Sequence, residues 1–251
     1  MLPPPRPLGL VGRRQVPFRT VLDGILYVLR TGCQWKAVPK EFGSGSTCHK
    51  RFQEWERAGI FEKLWAKLLA RYDELRDLRW RFQSLDSISV KAPLGGAQTG
   101  PNPTDRGKSG TKRHLLTDQR GAPLAVTITG ANCHDSQAIF PTLSRVVVTR
   151  PAPRPYHPQH LCLDKGYDSQ EIREGVRQLG YRPHGRRRGE SKLEADAPRR
   201  HPARRWVVER TNSWHNRFRK LAVRFEKKPH NYLALVHLAC SLIVYRLIIL
   251  G

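Results

Sequence analysis

Leu85-Asp86-Ser87-Ile88-Ser89-Val90 is the stretch on which the fold is decided. Apolar and small polar residues alternate with the period of a half-buried strand, and an ionisable side chain stands inside the run. A second carboxylate, Asp164, directly follows the short apolar strand His160-Leu161-Cys162-Leu163. A carboxylate at the end of a buried strand costs free energy unless it is paired or binds a cation. Open α/β sheets hold their ligands at the carboxyl ends of strands. One such Asp is commonly a turn residue, whereas two in one domain suggest a site.

Working outward, residues 114–117 read as a short strand, and 123–129 are apolar and β-branched. A Gly/Pro-rich loop spans 95–110. Residues 135–148 read as a helix, as do 169–179 with Gly180 as the stop. Three strands, helix, strand, helix gives a mixed α/β sheet. A basic, exposed segment follows at 182–201, then a helix over 203–225 and a last apolar helix over 232–250. Upstream lie a proline-rich leader and helices over 18–31, 35–42, 47–58 and 60–80, the third capped by Thr47. In that third helix Phe52 and Trp55 face inward while Lys50 and Arg51 face outward, a helix-turn-helix-like pattern that plain helical bundles share. The chain therefore divides into a helical unit, 1–80, and an α/β unit, 81–251.

Charge narrows the partner. The 251 residues carry a net charge of +24 with 39% hydrophobic residues, so a core can form and a polyanion is the expected partner. The stretch 181–228 alone holds 16 basic and 5 acidic residues, net +11. Within it Arg186-Arg187-Arg188 read as non-specific phosphate contacts or as a mobile basic loop; outside it, Lys112 and Arg113 read as either phosphate contacts or a solvated strand face. Five cysteines without a Cys-x-x-Cys pair argue against a disulfide framework or a zinc site, and fit a reducing cytoplasm. The apolar run 232–250 contains His237 and Arg246 and reads as a packing helix, so no membrane is expected.

A third carboxylate comes from helix geometry. Val207, Thr211, Trp214, Phe218, Leu221 and Phe225 step by four and three and form a core stripe. Glu209 lies off that stripe with Arg205, Asn212 and Asn216 as its helical neighbours. On pattern alone it reads as the surface partner of Arg205. Three carboxylates on a basic α/β chain are nonetheless what phosphoryl chemistry on nucleic acid needs, with two Mg²⁺ ions held by few protein oxygens.

At these residues the chain resembles the DDE transposases of bacterial insertion sequences, in the group around insertion-sequence families four and five, closest to family five. The resemblance rests on several blocks in order: Leu22-Asp23-Gly24-Ile25-Leu26-Tyr27-Val28-Leu29-Arg30-Thr31-Gly32-Cys33-Gln34-Trp35, the loop Thr99 through Lys108, Thr129-Gly130-Ala131-Asn132-Cys133-His134-Asp135, and Asp164-Lys165-Gly166-Tyr167-Asp168. The most specific is Arg205-Trp206-Val207-Val208-Glu209-Arg210-Thr211, continuing through Trp214, Asn216-Arg217-Phe218-Arg219 and Arg224-Phe225-Glu226.

The resemblance implies an RNase H-like catalytic core behind a DNA-binding helical domain, with Asp86, Asp164 and Glu209 as catalytic residues and ligands of two Mg²⁺ or Mn²⁺ ions. Of the Tyr-Arg-Glu-Lys signature of related groups, Arg205 and Glu209 match, while Pro202 and Asn216 stand at the Tyr and Lys positions. Lys108, Arg205, Arg210, Arg217 and Lys220 join Lys50 and Arg51 as expected DNA contacts. The implied partners are double-stranded DNA, as terminal inverted repeats and target, and further copies of the chain in a dimer or higher oligomer on DNA. The implied location is the bacterial cytoplasm, at the nucleoid. Relatives carry a helical segment before a Leu-Pro-Pro-Pro stretch, and here the chain opens with that stretch, so a shortened N-terminus is expected. The alternative is a derivative that only binds DNA and represses.

Overall fold

The alternation around Asp86 belongs to the longest strand. In a computed structural model, which describes residues 15–164, 169–184 and 205–250, β1 (Phe82–Lys91) lies inside a sheet that has six strands among the described residues. The others are β2 (Gly100–Pro101), β3 (Ser109–Thr117), β4 (Pro123–Gly130), β5 (Gln159–Cys162) and β6 (Tyr181–His184). β3 runs antiparallel to β1, and β4 and the short β2 pair antiparallel with β3. On the other side of β1, β5 lies parallel to it and β6 parallel to β5. An antiparallel meander followed by two parallel strands on the far side of its first strand is the RNase H-like arrangement, and the expected mixed sheet is present.

Helices surround this sheet: α1 (Phe18–Thr31), α2 (Gly45–Arg57), α3 (Ile60–Arg76), α4 (Ile139–Leu143), α5 (Gln170–Gln178), α6 (Trp206–Asn216), α7 (Arg219–Ala222) and α8 (Pro229–Leu250). Helix α1 ends where expected, at Gly32 in a left-handed conformation. The cap of α2 is Ser44 rather than Thr47: its Oγ accepts from the Thr47 N–H at 3.1 Å. The next residue must be Gly45, because a Cβ there would sit 1.7 Å from the Trp35 carbonyl oxygen.

The structure departs from the sequence reading in four places. Residues 35–42 form two 3-10 turns, Trp35–Ala37 and Lys40–Phe42, rather than one helix. The expected helix 135–148 shrinks to a 3-10 turn, Asp135–Ala138, and α4. Its β-branched tail instead runs beside β4, the Val147 N–H donating to Leu124 O at 3.1 Å. The expected helix 203–225 breaks at Phe218, which is extended and caps α7; Phe218 and Leu221 both reach the core, while Phe225 is left exposed. Finally, Tyr181–His184 is a strand inside a segment read as exposed, and Pro183 is tolerated there because β6 is at the edge of the sheet.

One hydrophobic core crosses residue 80. Trp55, Phe61, Trp65 and Leu69 of α2 and α3 share it with Leu85, Leu115 and Leu161 of the sheet and Tyr232, Leu235 and Val244 of α8. Helix α8 is 22 residues long and apolar enough to cross a membrane by composition, yet half of that apolar stretch is buried inside the protein. The family-like block Arg224-Phe225-Glu226 is a clamp. Fully buried Arg224 donates to the carbonyls of Ala97, Gln98 and Glu226, and Glu226 Oε1 meets Trp35 Nε1 at 3.2 Å and Lys220 Nζ at 3.3 Å.

Candidate active site

Register brings the two aspartates together. In the parallel β1–β5 pair Ser84 lies opposite Cys162. Two residues further on, with side-chain direction restored by the period of two, are Asp86 and Asp164. Helix α6 packs over β1 and β3, and its first turn carries Glu209. Arg205, at the cap position of α6, gathers them. Its Nη1 contacts Asp164 Oδ1, and its Nη2 and Nε contact Glu209 Oε1 at 2.8 and 3.0 Å. Asp86 lies within the same electrostatic neighbourhood as Arg205, Asp164 and Glu209.

The carboxylates differ in environment. Asp164 and Glu209 are about half exposed, at 44% and 49% of the side chain. Asp86 is partly buried in mid-strand, with the Ser87 N–H donating to its Oδ1 at 2.9 Å. Burial pushes the Asp86 carboxyl up to about 6, with Asp164 and Glu209 adding to the rise, while the Ser87 N–H and Arg205 oppose it. Among the described residues no three His, Cys, Asp or Glu side chains stand close enough to hold a metal ion as they are. The carboxylates meet a guanidinium rather than one another.

The proposed DNA contacts divide. Lys50, Lys108 and Arg217 are exposed. Arg51 is tied to Glu54 at 2.6 Å and lies over the Phe18 ring. Arg210 sits between the Trp206 and Trp214 rings and donates to Arg120 O at 2.6 Å, docking α6 against the turn at Gly121. That turn has no room for a side chain: a Cβ on Gly121, whose φ is +90°, would lie 2.8 Å from Thr211 Oγ1. Two assignments are corrected by burial. Arg113 is 0% exposed, its Nη2 donating to Asn212 Oδ1 at 3.3 Å and Asn216 Oδ1 at 3.4 Å, so it anchors α6 to β3 and cannot reach a phosphate. Lys220 is 5% exposed and paired with Glu226. Arg186, Arg187 and Arg188 lie outside the described residues.

The sequence reading missed the role of Asn212 and Asn216. They share a helix face with Glu209, and that polar face, taken as solvated, packs on Arg113 through Asn212. A second polar cluster was also underread. Lys112 Nζ reaches Asp135 Oδ1 at 3.0 Å and Cys133 O at 2.7 Å, and Ser87 Oγ donates to Asp135 Oδ1 at 2.9 Å. His134, whose Nδ1 accepts from the Ser136 N–H, caps the turn that begins with Asp135.

Known proteins resemble this chain in sequence over most of its length. Residues 1–65 match the family described as "Putative transposase of IS4/5 family", and residues 81–244 match the family "Transposase DDE domain". The "Putative transposase for insertion sequence element IS402" of Burkholderia cepacia is 37% identical over 164 residues, covering 60% of this chain and 70% of that one. A 16.2 kDa protein of the same IS402 element is 37% identical over 107 residues, 41% of this chain and 73% of that one. Among solved structures, the Mos1 strand transfer complex aligns at a TM-score of 0.30 and 12% identity, over 93% of this chain and 81% of that one. The catalytic domain of Mos1 mariner transposase aligns at 0.27 and 11%, over 74% and 92%. The chain belongs to the DDE transposases of insertion sequences: it is a DNA transposase with an RNase H-like catalytic core.

Proposed function

We propose that the chain cuts phosphodiester bonds at the terminal inverted repeats of its insertion sequence and joins the freed ends to target DNA, with Asp86, Asp164 and Glu209 as the metal-holding carboxylates. One observation carries this reading: Asp164 after one strand and Glu209 on a helix meet at one cation, with Asp86 of the neighbouring strand in the same electrostatic field, in a chain whose net charge is +24. The oxygen donor set suits Mg²⁺ or Mn²⁺, and Arg205 stands where a positively charged guest is stabilised, so the residues fit such an ion. When bound, a pair of divalent ions supplies activation of the attacking oxygen and stabilisation of the leaving one. The chain's own residues do the rest. The Ser87 N–H fixes Asp86, and the clamp of Arg113 on Asn212 and Asn216 sets the helix that carries Glu209. Exposed Lys50, Lys108 and Arg217 are available to phosphates of double-stranded DNA, and two or more copies assemble on the element ends.

The test is to incubate the protein with DNA carrying the element end, and with a scrambled duplex, in Mg²⁺. A nick at the element boundary that EDTA abolishes is expected. Equal cutting of the scrambled duplex would reduce the activity to that of a nuclease, and binding without cutting would leave a repressor.

A further inference from the structure

Each of the three guanidinium nitrogens of Arg205 contacts one of two carboxylates. Its Nη1 is on Asp164, while Nε and Nη2 converge on Glu209 Oε1. These acceptors come from different elements, the end of β5 and the first turn of α6, so the guanidinium also holds the two elements together. A guanidinium is a planar, permanent cation whose fork matches carboxylates. It is therefore a neutralising guest for this site. A divalent ion needs oxygens of the same two side chains, and at contact distance it and the guanidinium repel.

We propose that Arg205 is the resident cation of the metal-free triad, and that a divalent ion enters by displacing it from Asp164 and Glu209. This rests on the triad being the metal site. It also explains how three carboxylates share one neighbourhood while no three acidic or imidazole groups form a ready metal cage among the described residues. The arginine is a wedge as well as a counter-ion. Once displaced, its fork is free for a bidentate contact to a phosphate. Metal and DNA then favour each other's binding, because each stabilises the state in which Arg205 has left the carboxylates. Arg205 is on this account a positioning residue for the metal step.

Mn²⁺ binding to the full, DNA-free chain, followed by titration calorimetry and by the loss of the free-ion electron paramagnetic resonance signal, tests the exchange. Asp86→Asn locates the ion and should weaken binding at least tenfold. Arg205→Lys keeps the charge but cannot span both carboxylates, and should bind Mn²⁺ about five- to tenfold more tightly than wild type. Arg205→Gln should bind at least as tightly as Arg205→Lys. If Arg205→Lys binds like wild type while Asp86→Asn weakens binding, Arg205 acts only as a distant charge and the exchange is wrong, though the metal site stands. If Asp86→Asn leaves Mn²⁺ binding unchanged, the triad is not the metal site, and the site assignment falls together with the exchange. All three variants change half-exposed or partly buried polar side chains, and melting curves in EDTA verify that each is folded.

Discussion

Two polar clusters flank β1, and they differ in how their charge closes. On the face that Ser87 takes, Asp135 meets one cation, Lys112, and one hydroxyl, Ser87. Lys112 spends a further donor on Cys133 O. One negative charge meets one positive charge, and the cluster fastens the loop after β4 to the sheet. On the face that Asp86 takes, the Arg205 guanidinium contacts two carboxylates, Asp164 and Glu209, and a third, Asp86, lies in its field. Several acidic groups thus gather at one point of a strongly basic protein. An isolated pair reads as structure, whereas several carboxylates gathered by separate elements read as a site for a cation.

The largest expected effect tests that contrast directly. Asp86→Ala, Asp164→Ala and Glu209→Ala should each bind end DNA about as well as wild type in EDTA. Each should cut it at least about a thousandfold more slowly in Mg²⁺, since loss of a ligand misplaces charge needed by both the attacking and leaving oxygens. Glu209→Asp keeps its charge but is one methylene shorter, and should also lose most cleavage. Asp135→Asn, by contrast, should lose about 1 kcal/mol of stability from the Lys112 pair and stay within a few-fold of wild-type cleavage. Should Asp135→Asn abolish cutting in a folded protein, the two faces are not separate and Asp135 belongs with the catalytic group.

A smaller effect appears in the absence of DNA. The Asp86 carboxyl is raised to about 6 from an unperturbed 3.8, chiefly by burial. A raised carboxyl favours the folded state when protonated, so its contribution is greatest below pH 3.8 and is lost as the pH climbs through 6. Asp86→Asn removes that loss. In EDTA at pH 8 it should melt a few degrees above wild type, an increase of about 1–2 kcal/mol after allowing for solvent screening. At pH 4 most of this gain should vanish. A gain of equal size at both pH values would mean that Asp86 is not strained by its own charge, and the contrast between the two clusters would lose its sharpest member.

How much of this was legible depended on whether the signal was local. The strand around Asp86, the stop at Gly32 and the cap and stop of α5 by Ser169 and Gly180 are set by neighbours in sequence, and they stand where the residues imply. The pairing of Arg205 with Glu209 was visible because four residues make one helical turn. Its link to Asp164 was not, since only the β1–β5 register and the docking of α6 bring residue 164 to 205. Likewise nothing in the basic run Lys112-Arg113 separates a partly buried, ion-paired lysine from a fully buried arginine. Period two sends them to opposite faces, but which face α6 covers is a tertiary fact. The break at Phe218 is hidden in the same way: the helical spacing of the stretch runs on through residue 218, where the structure turns extended.

The smallest effect extends the same charge counting to the helical region. Lys50 and Arg51 are adjacent on α2, and sequence alone treats them as equals. In the structure Lys50 is exposed, while Arg51 is held by Glu54 at 2.6 Å and lies over the ring of Phe18. A cation already neutralised by a carboxylate releases fewer counterions from DNA, because its partner must first be given up. Each phosphate contact contributes about 0.9 to the slope of log affinity against log salt concentration. Lys50→Ala should therefore flatten the slope by close to that amount, and Arg51→Ala by clearly less. Glu54→Gln should then raise the slope contributed by Arg51 toward that of Lys50. Equal slopes for the two alanine variants, unchanged by Glu54→Gln, would mean that DNA pulls Arg51 off Glu54 without penalty. Local balance of charge would then cease to distinguish structural from functional cations in this protein, on α2 as on β1.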